Sequence, residues 1–259
     1  MLIDSHCHLD ILDPAKYDDV TLPGLIAAAK QAGVEHILCP AVTLGKFPGV
    51  LKIAQTFENV TCAVGQHPDE PCTNEPTVEE LVTLAQSDKN IVAIGETGLD
   101  YYHDATTPEL QRERFRRHIR AAKLTNKPLI IHTRDAREDT IKIMREEIGN
   151  ENSGIKGVMH CFTENWQLAE EALNMGFYIS FSGIVTFKKA LELKEIAKRV
   201  PLDRMLIETD APYLAPEPKR GKPNQPAYVR YIAEYLADLR GISFEELARQ
   251  TSENFFALF

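Results

Sequence analysis

Apolar residues along this chain come in short, nearly unbroken runs. After Leu2–Ile3 they recur as "VEHILCPAV" from Val34, "VTCAVGQHP" from Val60, "IVAIGETGLD" from Ile91 and "PLIIHTRD" from Pro128. "IKGVMHCF" from Ile155, "FYISFSGIV" from Phe177 and "RMLIETDAP" from Arg204 follow. Parallel strands read this way, because helices packed on both sides of the sheet bury both faces. Between the runs the pattern switches to helical spacing. "LPGLIAAAKQAG" ends at Gly33, where glycine suits a helix C-terminus, and "TVEELVTLAQSD" opens with Thr77 and Glu80 at capping-box spacing. "PELQRERFRRHIRAAKLTN" and "ALELKEIAKRV" obey the same logic, and "NQPAYVRYIAEYLADLRG" and "SFEELARQTSENFFALF" close the chain with helices. Eight strands alternating with helices predict an α/β fold, a (β/α)8 TIM barrel with an extra C-terminal helix, whose usual length is about 250 residues. An open doubly wound sheet is the rival, but no glycine-rich phosphate fingerprint follows the first strand. With no repeat, low-complexity tract or linker, residues 1–259 read as one barrel domain.

Charge narrows the partners. The net charge is −9, from 29 Lys and Arg against 38 Asp and Glu. No general basic surface exists to hold nucleic acid by counterion release, which argues against a DNA coat or a sequence-reading repressor. An enzyme that grips phosphates locally stays open. The five cysteines contain no Cys-x-x-Cys pair, as expected in a reducing compartment. No run reaches the roughly 20 apolar residues of a membrane span, and the N-terminus lacks the pattern of a signal peptide. A cytoplasmic enzyme with no membrane association and no obligate protein partner is the expectation.

Candidate chemistry collects where predicted strands end, the face on which barrels build their active sites. The first strand runs into His6 and His8, the third into His67 and the fourth into Glu96. The fifth ends at His132, the sixth at His160, and the eighth at Glu208 and Asp210. In "IDSHCHLD", period-two alternation sends His6 and His8 to one side and Cys7 to the other, so Cys7 reads as a packed thiol. Imidazoles and carboxylates together suit Zn²⁺, Mn²⁺, Fe²⁺ or Ni²⁺, with Mg²⁺ less at home among so many nitrogens. Even six ligands from this set exceed what one catalytic ion usually takes from protein, so two divalent cations are expected. Glu96, midway round the wall, is the candidate bridge.

These stretches, "DSHCHLD", "GETGLDYY", "HTRDA", "HCFT", "FSGIVTF" and "ETDAPYLAP" with the later "RGK" and "NQP", together resemble the TatD family of metal-dependent, deoxyribonuclease-like hydrolases, closest to its YcfH-like branch. The resemblance runs from the first strand to the last helices. It implies metal ligands at His6, His8, Glu96, His132, His160 and Asp210, and a phosphodiesterase acting on DNA, exonuclease-like, with Asp210 as general base. A hydrolase of small amides, lactones or esters is the alternative, since related barrels carry similar sites. A metal-binding scaffold without activity would leave the shared mouth unexplained.

Other positions keep two readings. Glu208 either orients a ligand histidine from behind or forms a buried ion pair. Asp4, on the face assigned to His6 and His8, supports a ligand or caps a turn. His67, before Pro68, stands at the rim as a substrate contact or in a turn. Arg134 reaches substrate or pairs with Asp135. Arg220, in the basic loop Lys219 to Lys222, clamps a phosphate or belongs to a solvated charge run. His36, His103 and His118 read as structural.

Overall fold

The computed structural model describes residues 1–18, 20–104, 106–149 and 154–259. Eight parallel strands form one sheet in chain order: β1 (Leu2–Asp4), β2 (Val34–Pro40), β3 (Val60–Val64), β4 (Ile91–Asp100), β5 (Leu129–Arg134), β6 (Gly157–Met159), β7 (Tyr178–Phe181) and β8 (Met205–Ile207). Helices α1 (Leu22–Gln31), α2 (Phe47–Thr56), α3 (Val78–Ala85), α4 (Pro108–Thr125), α5 (Arg137–Glu147), α6 (Trp166–Asn174), α7 (Leu191–Arg199) and α8 (Val229–Arg240) follow the strands in turn. A last helix, α9 (Phe244–Leu258), comes after α8. The expected barrel with its extra C-terminal helix is therefore present. The predicted caps are also found: Gly33 sits just past α1 at φ 89°, and Thr77 and Glu80 make the reciprocal cap of α3.

The seam between β1 and β8 closes just beyond the strand ends. Ser5 N–H donates to Ile207 O at 3.1 Å, Asp210 N–H to His6 O at 2.9 Å, and His8 N–H to Ala211 O at 2.9 Å. The two histidines are thereby stitched beside Asp210, although more than two hundred residues separate them along the chain.

Each strand sends one residue into a barrel-interior cluster: Ile3, Leu38, Ala63, Ala93, Ile130, Val158, Tyr178 and Leu206. Phe255 and Leu258 of α9 join the same cluster, so the last helix plugs the N-terminal end of the barrel. The outward faces of the strands pack with the helices in a second, larger core. Apolar packing thus fills the bottom and shell, and polar chemistry is left to the C-terminal mouth.

Candidate metal centre

Glu96 reaches the interior through an irregularity in β4. Ile94 pairs with Leu129 but Thr97 with Ile131, so β4 spends one more residue than β5 over this step. An inserted residue reverses the alternation. Ala93 faces the interior cluster, yet Glu96, three positions on, also faces inward. β4 then continues to Asp100, so Glu96 lies within its strand and not at its end as expected. Gly98 lets this stretch lie close to β5. A Cβ there would come 2.0 Å from the carbonyl oxygen of His132, and its φ of 135° is one that side chains rarely adopt.

The carboxylate of Glu96 stands among five imidazoles, its two oxygens facing different groups. Oε2 is 3.2 Å from His6 Nε2 and 3.8 Å from His8 Nε2. Asp210 Oδ1 closes that side at 3.3 Å from His8 Nε2 and 3.8 Å from His6 Nε2. Oε1 is 2.8 Å from His160 Nε2, 3.1 Å from His67 Nε2 and 3.4 Å from His132 Nδ1. Two potential ligand groups centre on Glu96, His6 with His8 and Glu96, and His67 with Glu96 and His132, while a third joins His6, His160 and Glu208. The structure brings together all six expected ligands and adds His67, which lies in the second group and not merely at the rim.

The electrostatics explain why such a cluster accepts cations. Burial by itself would push the Glu96 carboxyl up, but His160, His67 and His6 overturn this and hold it well below the ordinary range. Burial likewise works against charge on His160, and Glu96 and Glu208 carry it well above the ordinary imidazole value. His67 rises against burial through Glu96 and Asp69. His6 falls, through burial and the neighbouring charge of His160. Asp210 is held down, against burial, by His8. A buried nest of carboxylates with imidazole nitrogens turned inward binds protons or divalent cations by the same groups. Glu96 Oε2 is buried with no hydrogen-bond donor of its own, and His6 Nε2 faces His8 Nε2 across 3.3 Å. This donor set fits divalent metal.

Behind the nest stand groups that fix the rings. Glu208 Oε1 accepts from His160 Nδ1 at 3.2 Å and from Cys161 N–H at 2.7 Å. Asp100, buried in β4, accepts from His132 Nε2 at 3.1 Å and from His103 Nδ1 at 2.7 Å. Sequence reading missed Asp100, although it follows Glu96 by two alternation steps. His103, read from the sequence as structural, lines the mouth together with Asp69.

Asp4 leaves the face expected for it but caps a turn, accepting from His6 N–H at 3.4 Å. Ile3 is an interior residue, and Asp4 turns to the seam, where Thr209 donates to it through N–H at 2.8 Å and through its hydroxyl. β1 ends at Asp4 and the chain bends at Ser5, so strict alternation cannot be carried from Asp4 to His6. His118 and His36 are structural: His118 Nε2 accepts from Gln66 N–H at 3.0 Å, and His36 Nε2 lies 3.0 Å from Thr61 Oγ1. Cys7 packs in the outer core, as alternation required.

Arg134 lies flat over the Tyr102 ring, 3.8 Å from its centroid, and lines the cavity. Arg220 is exposed and covers the Phe187 ring at 3.7 Å. Among the described residues it is Arg134, not Arg220, that contributes to the cavity wall.

The family model of TatD related DNase matches residues 3–259. The chain belongs to the TatD family. The Escherichia coli (strain K12) metal-dependent hydrolase YcfH is 48% identical over 260 residues, covering 100% of this chain and 95% of that one. The Salmonella typhimurium protein named 3′-5′ ssDNA/RNA exonuclease TatD is 31% identical over 240 residues, 91% of either chain. Among solved structures, the TatD homolog YjjV from Escherichia coli superposes with a TM-score of 0.90 at 28% identity, covering 100% of this chain and 97% of that one. This TatD-family chain is a metal-dependent hydrolase.

Proposed function

We propose that the protein is a two-metal phosphodiesterase acting on DNA, releasing nucleotides from an end. The observation that carries this reading is Glu96, whose two carboxylate oxygens face separate imidazole groups. His6, His8 and Asp210 would hold one cation with Oε2, and His132, His160 and His67 the other with Oε1. When bound, such a pair supplies Lewis-acid activation of water and neutralises charge at a scissile ester. Asp210, ionised and reachable from the cavity, accepts the proton of the attacking water and returns it to the leaving oxygen. Its backbone is fixed by the hydrogen bond to His6 O, so the carboxylate keeps its position through the cycle. The substrate class is supported by the family and by the relative named as a single-stranded DNA and RNA exonuclease.

The test pairs metal analysis with a substrate panel. Glu96→Gln keeps the shape but removes the charge shared between the two groups. We expect it to purify with at most one cation and to lose at least about 100-fold in turnover of single-stranded DNA. Full metal content with full activity would refute the bridge. Cleavage of an amide or lactone by the wild-type protein, with DNA inert, would refute the phosphodiesterase reading.

A further inference from the structure

The cavity above the imidazole nest has a volume of about 670 Å³, and acids and histidines crowd its floor. One strip differs. Ile184, Tyr213 and Leu214 form an apolar side beside the His8–Asp210 group. Tyr213 is 55% exposed, with its ring centroid 6.4 Å from that of His8.

The backbone beneath this ring is fixed. Tyr213 N–H donates to Asp210 O at 3.0 Å, and the buried Asn224 donates from Nδ2 to the carbonyls of both Thr209 and Tyr213, at 2.8 and 2.6 Å. Leu214 is held at φ 57°, a conformation a leucine adopts only when its surroundings impose it. Its carbonyl packs so tightly on Gly183 that a Cβ there would approach to 2.0 Å. A large aromatic face left in the open on a rigid, strained backbone is preorganised for a flat partner.

Across the mouth, after the opposed strand β4, Tyr102 is 61% exposed and carries the guanidinium of Arg134 on its face. That cation faces a cavity otherwise rich in acid, where an anionic oxygen needs a local partner. The reacting bond must descend to Glu96, whose side chain is only 3% exposed. A duplex, stiff over about 150 base pairs, cannot lower one phosphate that far without unstacking its neighbours. A single strand can.

We infer that Tyr213, backed by Leu214 and Ile184, stacks the unpaired base of the terminal nucleotide, while Arg134 holds the next phosphate along. The substrate is then a single strand that enters end first. The inference rests on the nuclease reading above and adds the seat of the base.

The experiment compares oligonucleotides of equal length that end in thymidine or in a base-free tetrahydrofuran residue. The wild-type protein should prefer the base-bearing end by about 10- to 100-fold in kcat/KM, the range expected of one base–aromatic stack. Tyr213→Ala should bring that ratio close to one, mainly through KM, with bound metal unchanged. Tyr213→Phe should keep the preference, because a ring and not a hydroxyl does the stacking. Binding gives a second readout. A terminal 2-aminopurine should be quenched by the wild-type protein and by Tyr213→Phe, and stay bright with Tyr213→Ala. Arg134→Ala should reduce the salt slope of binding by about one.

A Tyr213→Ala variant that discriminates like the wild type overturns the inference, as does duplex DNA cleaved as fast as single strands. If the wild-type protein cleaves both ends equally, the stacking seat falls and the nuclease reading stands. If it cleaves no oligonucleotide at all, both fall.

Discussion

The division of labour inside the mouth is visible residue by residue. Glu96, His6, His8, His132, His160 and Asp210 present nitrogen and oxygen to a common centre, while Asp100 and Glu208 grip the far nitrogens of His132 and His160. Such a carboxylate sets the tautomer and the aim of its histidine. Burial would raise the Asp100 carboxyl, but His132 and His103 hold it far below its ordinary range, so it stays an anion behind the ring. Asp100→Asn should therefore weaken cation binding on the His132 side by about 10- to 100-fold, read by titration of the metal-free protein with Zn²⁺. An unchanged dissociation constant would show that His132 needs no such support. Asp100 was legible in principle, since Glu96, Gly98 and Asp100 share one face of a strand. It was passed over because the fourth strand was expected to end at Glu96, which left Asp100 beyond it, whereas β4 runs on to Asp100.

At the scale of elements, the site depends on strands that break their own regularity. β1 stops at Asp4 and bends before His6, and β4 carries an extra residue before Glu96. Both devices let an apolar residue fill the barrel and a ligand three positions later still point inward. Alternation placed the histidine pair correctly and Asp4 on the wrong face, since period two holds only within an unbroken ladder. β4 and β5 also have to lie close, which Gly98 permits. Gly98→Ala should force the two strands apart at His132 and lower the melting temperature by roughly 5 °C or more. Cation affinity should fall with it. A thermal scan that matches the wild type would mean the contact relaxes at little cost.

For the whole molecule, apolar packing and the candidate metal centre occupy opposite ends of one cylinder. The interior layer and α9 seal the N-terminal end, with Phe255 2% exposed among them. Phe255→Ala should cost about 3–5 kcal/mol in denaturant unfolding, as a buried aromatic does, and leave the metal content intact. A loss below about 1 kcal/mol would show that α9 does not plug the barrel. No helix among the described residues is long and apolar enough to cross a membrane. The net charge of −9 gives a polyanion no general surface to bind, so the proposed phosphodiesterase would have to recognise its substrate locally.

The order of apolar runs and helical stretches was sufficient for the barrel, because parallel strands buried on both sides leave a pattern few other folds share. The meeting place of these side chains was equally readable: imidazoles and acids recurring at strand ends have a common destination once the barrel closes. Depth, facing and partners were not readable. His67 entering the second ligand group, Asp4 turning to Thr209, Arg220 resting on Phe187 and Tyr213 standing on a strained turn are set by bulges, bends and loops from distant strands. Those contacts form only when the seam between β1 and β8 brings segments some two hundred residues apart into register, and no local pattern encodes that distance.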